Sequence, residues 1–263
     1  IVEERMEQPM LPLALFRSRN FGGANLLTLL VYAALSGTLF FLPMNLIQVQ
    51  HYSATAAGAA LLPFIIVMAL LSRWAGGLVS RYGAKLPLVI GAVIAALGYG
   101  LFALSRAGGS YLTEFLPATA VLGLGMAVSV APLTTTVMSS VPAGHVGLAS
   151  GINNAVARSA GLLAIAAFGI VMLNVFSEQL DSRMTAAALP VDVRQKMNLQ
   201  RTRLGAATPG KVDDATGEFL LRAVQESFVR GFRTVMLLGG GLALAGGAIA
   251  ALTIESRHLP RPP

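Results

Sequence analysis

Four polar side chains recur along one face of an apolar stretch near the start of the chain. They follow one another at intervals of three, four and four residues, which places them on one side of an α-helix: Asn25, Thr28, Tyr32 and Ser36. Such a face is unfavourable in an apolar environment, so it predicts contact with a polar cavity. Tyr32 can also stack on a cationic or aromatic ligand. Hydroxyl groups that bond back to their own helix would produce the same pattern.

A second polar group opens another apolar stretch further along the chain and consists of Asn153, Asn154 and Arg158. An arginine at the entrance of an apolar helix usually faces protein or a cavity. Its long stem also lets the guanidinium reach the surface, and asparagine commonly caps the start of a helix. We predict that these three side chains and the first four line one cavity that binds a small molecule.

Residues needed for common catalytic chemistry are missing or scattered. The chain has no cysteine, and its three histidines lie one each in separate polar segments: His51, His145 and His258. A metal or haem site would require them to be paired. Residues 205–212 approach the pattern of a phosphate-binding loop, but Val212 stands where a hydroxyl would ligate Mg²⁺. We therefore predict no catalytic residue, no metal and no cofactor, and we expect that the protein is not an enzyme.

Six stretches without a charged residue must hold these side chains in place. A membrane-spanning helix needs about 20 mostly apolar residues, and each stretch is close to that length or longer. The composition agrees, with 55% hydrophobic and 12% charged residues and a mean hydropathy of +0.69. We predict an all-α membrane protein, a six-transmembrane-helix bundle. The stretches are 23–47, 54–71, 86–105, 115–141, 159–176 and 234–254.

The distribution of basic residues predicts the orientation of the bundle. Nine lysines and arginines lie in the terminal segments and the loops on one side, whereas the short loops on the other side hold only Arg106. Basic residues favour the cytoplasmic side and contact lipid head groups, so the net charge of +7 indicates membrane lipid and not nucleic acid as a partner. The predicted organisation is a cytoplasmic arm (1–22), five spans (23–176), a long extracytoplasmic loop with an amphipathic helix (177–233), a sixth span (234–254) and a cytoplasmic tail (255–263).

The cytoplasmic loop at 76–85 resembles the loop signature of the major facilitator superfamily. The family's aspartate position is Ser80 in this chain, and one of its basic positions is Ala84. The resemblance implies a latch in which cations at a helix end meet carboxylates and carbonyl groups of a neighbouring helix. The residues that fit the signature are Gly76, Leu78, Arg81, Gly83 and Lys85.

A longer resemblance covers most of the chain. Residues 141–158 are similar to the segment that opens the penultimate helix of the fourteen-span drug:proton antiporters, and residues 15–21 are similar to the lead-in to a span of the same half. The resemblance implies half of a major facilitator fold, the C-terminal one, in a bacterial inner membrane. It also implies a small amphipathic substrate that the complete protein exports in exchange for protons.

Three interpretations of the chain remain open. The charge-free stretches contain no Asp, Glu, Lys, Arg or His, although proton coupling needs an ionisable group within the membrane. The chain starts at Ile1 without an initiator methionine, so we expect part of a longer transporter, completed by an N-terminal half. A homodimer of two such halves is an alternative. The third interpretation is a truncated, transport-inactive protein that acts as a binding or assembly partner.

Overall fold

The computed structural model describes residue 15 and residues 18–210 and 212–255. Most of the predicted N-terminal arm and nearly all of the predicted tail, including His258, lie outside the described residues. One position of the segment that approaches a phosphate-binding loop, Lys211, also lies outside them.

Eight α-helices account for most of the described chain. A π-helical turn, Tyr111–Phe115, leads directly into the fifth of them, and short 3-10 turns cover Ala143–His145 and Arg201–Ala206. The α-helices are α1 (Arg19–Gln48), α2 (Ala54–Ala59), α3 (Leu62–Tyr82), α4 (Lys85–Phe102), α5 (Leu116–Ser139), α6 (Val146–Ala186), α7 (Val191–Asn198) and α8 (Asp214–Thr253).

The predicted fold class is confirmed, because six helical segments of the described chain are long and apolar enough to cross a membrane. Five of them contain α1, α4, α5, α6 and α8, and the remaining one combines α2 with α3. A turn at residues 60–61 separates α2 from α3, and Pro63 follows it in the first turn of α3. Proline has no N–H and its ring clashes with the carbonyl four residues earlier, so the helix cannot run through this point undisturbed.

Glycines let the backbones of α4 and α5 meet. A Cβ atom on Gly98 would lie 2.7 Å from the backbone nitrogen of Leu122, and one on Gly125 would lie 2.4 Å from that of Ala95. Backbone atoms cannot rotate away as side chains can, so these positions accept only glycine without a shift of the helices. Around this pair, α3 packs on α5, and α8 packs on α1, α4 and α6.

The segment 177–233, predicted as a long loop, is largely helical. The 41-residue helix α6 and the 40-residue helix α8 both continue through it. At 1.5 Å per residue each helix is about 60 Å long, twice the thickness of the hydrocarbon core. Their ends therefore extend beyond the membrane from the same face of the bundle, where α7 and a 3-10 turn join them. We call this part, residues 177–233, the projecting hairpin.

The projecting hairpin has an apolar core of its own. The predicted amphipathic face is buried in it at Leu220, Val224 and Phe228, opposite Leu180 and Met184 of α6. Asp213 caps this helix, since its carboxylate accepts a hydrogen bond from the backbone N–H of Thr216 at 2.9 Å. This bond holds the pKa of the Asp213 carboxyl below its ordinary value. The helix runs on into the last span as one continuous α-helix, α8.

We expect Gly98→Ala to destabilise the bundle by about 1–3 kcal/mol, because the added methyl group overpacks the contact with Leu122. Gly100→Ala in the same helix is the matched control, since nothing lies within 4 Å of its Cβ position. The control should be neutral or slightly stabilising, because alanine favours helix by about 1 kcal/mol over glycine. Thermal unfolding of the purified protein in detergent, followed by far-UV circular dichroism, measures both. Equal melting temperatures for the two variants would contradict the close approach of α4 and α5.

Candidate functional site

The half of the predicted polar face that is nearer the start of α1 is buried in a contact with α6. The side-chain amide nitrogen of Asn153 donates to Oδ1 of Asn25 at 3.2 Å and to Oγ1 of Thr28 at 2.7 Å. Asn25 and Thr28 in turn donate to carbonyl groups of their own helix, each at 2.9 Å. Because Asn25 and Thr28 are only 4% and 0% exposed, they hold the two helices together and offer no surface to a ligand. Here the structure differs from the prediction that all seven polar residues line one cavity.

The half of the same face that is farther from the start of α1 opens onto a groove of about 550 Å³ between α1 and α6. Tyr32 and Ser36 line it from α1, and Asn154 and Arg158 line it from α6. Four of the seven predicted lining residues therefore come together in one site. Asn153 adjoins this site, since it is the residue before Asn154. The walls between the polar groups are apolar and include Leu162 and Ile165.

A close helix approach sets the width of this groove. A Cβ atom on Gly161 would lie 2.7 Å from Oγ of Ser36, and one on Gly37 would lie 2.4 Å from the ring of Phe168. The sequence prediction missed Gly161, Leu162 and Ile165 as lining residues. Helical spacing from Asn154 and Arg158 would have found them, because positions three, four and seven residues further along share their face.

The groove combines one positive charge with hydrogen-bonding groups and an apolar wall. Arg158 and Asn154 are exposed, whereas Tyr32 and Ser36 are half-buried. The described residues that line the groove include no carboxylate. A guanidinium donates to carbonyl and carboxylate oxygens, and the phenol ring of Tyr32 offers a surface on which a flat ring can stack. The arrangement suits an amphipathic molecule with oxygen acceptors at one end and apolar rings at the other.

The signature loop joins the end of α3 to the start of α4. Gly83 ends α3 with a φ of 75°, and its N–H donates to the carbonyl of Val79 at 2.9 Å. This left-handed conformation explains why a glycine stands at the turn. Gly76 has open space where its Cβ atom would be, so no other helix of the described chain approaches closely at this glycine. The guanidinium of Arg81 lies 5.6 Å from the ring centroid of Tyr82.

The chain belongs to the Major Facilitator Superfamily, whose family model matches residues 3–165. The tetracenomycin C resistance and export protein of Streptomyces glaucescens is 28% identical over 265 residues, which cover 99% of this chain and 49% of that protein. Multidrug resistance protein Stp of Mycobacterium tuberculosis is 28% identical over 245 residues, which cover 90% of this chain and 45% of that protein. The family and the six apolar helices make this a multi-pass membrane protein.

The fold is shared with a solved transporter structure. The crystal structure of a bacterial homologue of the human lysosomal transporter Spinster, inward-facing and unoccupied, superposes with a TM-score of 0.63 at 16% identity. The match covers 96% of this chain and 52% of that chain. The chain likewise spans about half the length of the curated relatives described above. That the chain is half of a complete transporter, and the C-terminal half, stays a prediction.

We expect Asn153→Ala to weaken the α1–α6 contact by about 1 kcal/mol, because it removes the donor shared by Asn25 and Thr28. Asn154→Ala is the matched control, being the same change at the next residue, whose exposed side chain faces the groove. Thermal unfolding in detergent should show a lower melting temperature for the first variant only. A loss of the same size in both variants would mean that the hydrogen bonds do not hold these helices together.

Proposed function

We propose that the chain is a six-helix half of a multidrug efflux transporter in a bacterial inner membrane. The groove between α1 and α6 binds a small amphipathic substrate and forms one wall of its path. The proposal is supported by the groove's mixed lining and by relatives that are named for drug resistance and export. The groove carries the argument, because it is a polar and open site between two helices long and apolar enough to cross a membrane.

A second six-helix bundle completes the path. The groove is open on one side, and Arg158 there has no carboxylate among the described lining residues. Rocking of two bundles about a central site would expose such a groove to each side of the membrane in turn. The second bundle is an N-terminal half or a second copy of this chain. Membrane lipid surrounds both bundles.

Proton coupling depends on the second bundle. A coupling group must change protonation within the membrane, and the charge-free stretches of this chain offer none. Arginine is effectively always charged in proteins, so a guanidinium does not serve as a proton carrier. Arg158 instead attracts the acceptor end of the substrate, while a carboxylate for proton exchange comes from the other bundle.

The signature loop acts as a cytoplasmic latch that controls switching and does not contact substrate. Gly76 faces open space and Arg81 is exposed, which leaves both available to the second bundle. We expect Arg81→Ala to slow export by the complete transporter about tenfold, while equilibrium binding of the drug changes less than about twofold. Transport and binding assays on the same membranes measure the two effects. A fall in binding as large as the fall in transport would contradict the latch.

We expect Tyr32→Ala to change which drugs the complete transporter exports, because the variant removes the stacking surface of the groove. Leu35→Ala is the control, since Leu35 is half-buried in the same helix but is not a lining residue. The measurement is the minimum inhibitory concentration of a panel of planar and non-planar drugs in cells that express each variant. Losing resistance to planar drugs in the first variant alone supports the groove, and identical profiles argue against it.

We expect this chain alone to perform no proton-coupled efflux. It lacks both a membrane-embedded coupling carboxylate and a second bundle to move against. The test reconstitutes the purified chain in liposomes, imposes a pH gradient and follows a fluorescent amphipathic dye. Addition of an uncoupler is the control for gradient dependence. Uncoupler-sensitive dye movement would contradict the prediction and favour the homodimer.

A further inference from the structure

A second cavity lies where the projecting hairpin meets the bundle. It has a volume of about 480 Å³ and is separate from the groove between α1 and α6, with which it shares no lining residue. The loop after α4, the helix α6 and the helix α8 enclose it. Its lining residues are Arg106, Ala107, Gln179, Arg183, Glu226, Val229, Arg230 and Arg233.

The cavity has a strong excess of positive charge. Four of its lining residues are arginines and one is a glutamate. That glutamate, Glu226, already forms an ion pair with Arg183. The other three arginines line the same space, and Glu226 is the only carboxylate among its described lining residues. Like charges so close together repel each other, and an anion placed between them would relieve the repulsion.

Hydrogen bonds hold part of this cluster in place and leave donors for a ligand. Nε of Arg233 donates to the carbonyl of Ser105 at 2.7 Å, which fixes this guanidinium at the end of α4. Nε of Arg183 is buried and has no hydrogen-bond partner in the described part of the protein. A buried donor without an acceptor costs free energy, so Glu226 alone leaves the Arg183 side chain incompletely satisfied.

The level of the cavity relative to the membrane indicates where the anion comes from. Arg106 directly follows the charge-free stretch 86–105, and Arg233 directly precedes the stretch 234–254. The cavity therefore lies at the boundary between the apolar and the polar parts of the bundle. In the adjoining apolar stretches, Leu104 and Leu237 are 67% and 62% exposed, and Leu237 is one helical turn from Arg233. An anion carried on an acyl chain would contact both regions at once.

We propose that this cavity binds a phosphate group, and that the phosphate belongs to the head group of an anionic lipid. Guanidinium groups bind phosphate oxygens in pairs of parallel hydrogen bonds, and basic pockets between membrane helices suit lipid head groups. The acyl chains lie along Leu104 and Leu237. A lipid bound there joins α4, α6 and α8 at the base of the projecting hairpin.

Native mass spectrometry of the purified chain tests the proposal with three ligands. These are phosphatidylglycerol, which is anionic, phosphatidylcholine, which is zwitterionic, and inorganic phosphate. We expect phosphatidylglycerol to bind at least about tenfold more tightly than phosphatidylcholine, since only the anionic head group complements the excess charge. Binding of inorganic phosphate with no preference for the anionic lipid would overturn the lipid assignment.

Two variants locate the binding to this cavity. Arg230→Gln removes an exposed lining charge, and we expect it to weaken phosphatidylglycerol binding about tenfold. Arg222→Gln makes the same change in charge on the same helix, where Arg222 is exposed and pairs with Glu218 outside the cavity. The second variant should bind within about twofold of the original chain, and both should keep its melting temperature. Equal weakening by the two variants would mean that binding depends only on the net charge of the chain, and it would overturn the proposal.

Discussion

Backbone contact between α4 and α5 is the constraint on which the rest of the bundle depends. Lipid is as apolar as the helices themselves, so burial of apolar side chains does not drive the helices together, and close packing must do so. Gly98 and Gly125 provide it by bringing the two backbones within reach of each other. From this pair, α8 extends the packing towards α1 and α6, where a Cβ atom on Gly246 would lie 2.7 Å from the side chain of Leu27.

The α4–α5 side and the α1–α6 side of the bundle are held together by different contacts. The first side supports the fold, and the second side carries the proposed site. The α4–α5 contact is formed between backbones, whereas α1 and α6 meet through the amide of Asn153 and through side chains around Gly37 and Gly161. Polar contacts in membranes contribute about 1 kcal/mol each, less than a well-packed interface, so the α1–α6 side is the more easily rearranged. A substrate site that must open and close is therefore better placed on the α1–α6 side.

The sequence allowed prediction of the six spans, because they depend on local patterns of charge and hydropathy. Helical periodicity also placed Tyr32 and Ser36 on one face of α1, and Asn154 and Arg158 on one face of α6. It could not predict that Asn25 and Thr28 turn towards Asn153, because periodicity does not specify the neighbouring helix. The projecting hairpin was missed for a related reason: charged residues end an apolar stretch without ending a helix, so α6 and α8 continue into water.

The length of α6 links the groove mechanically to the space outside the membrane. One continuous helix carries Asn154, Arg158 and Leu162 near its start and Leu180 and Met184, in the core of the projecting hairpin, near its end. A helix is stiff, so a tilt of about 10° around the middle of a rod about 60 Å long moves its tip by about 5 Å. The position of the projecting hairpin therefore changes with the tilt of α6. A dye or an antibody fragment attached to the hairpin would report helix movement in the groove without touching the path of the substrate.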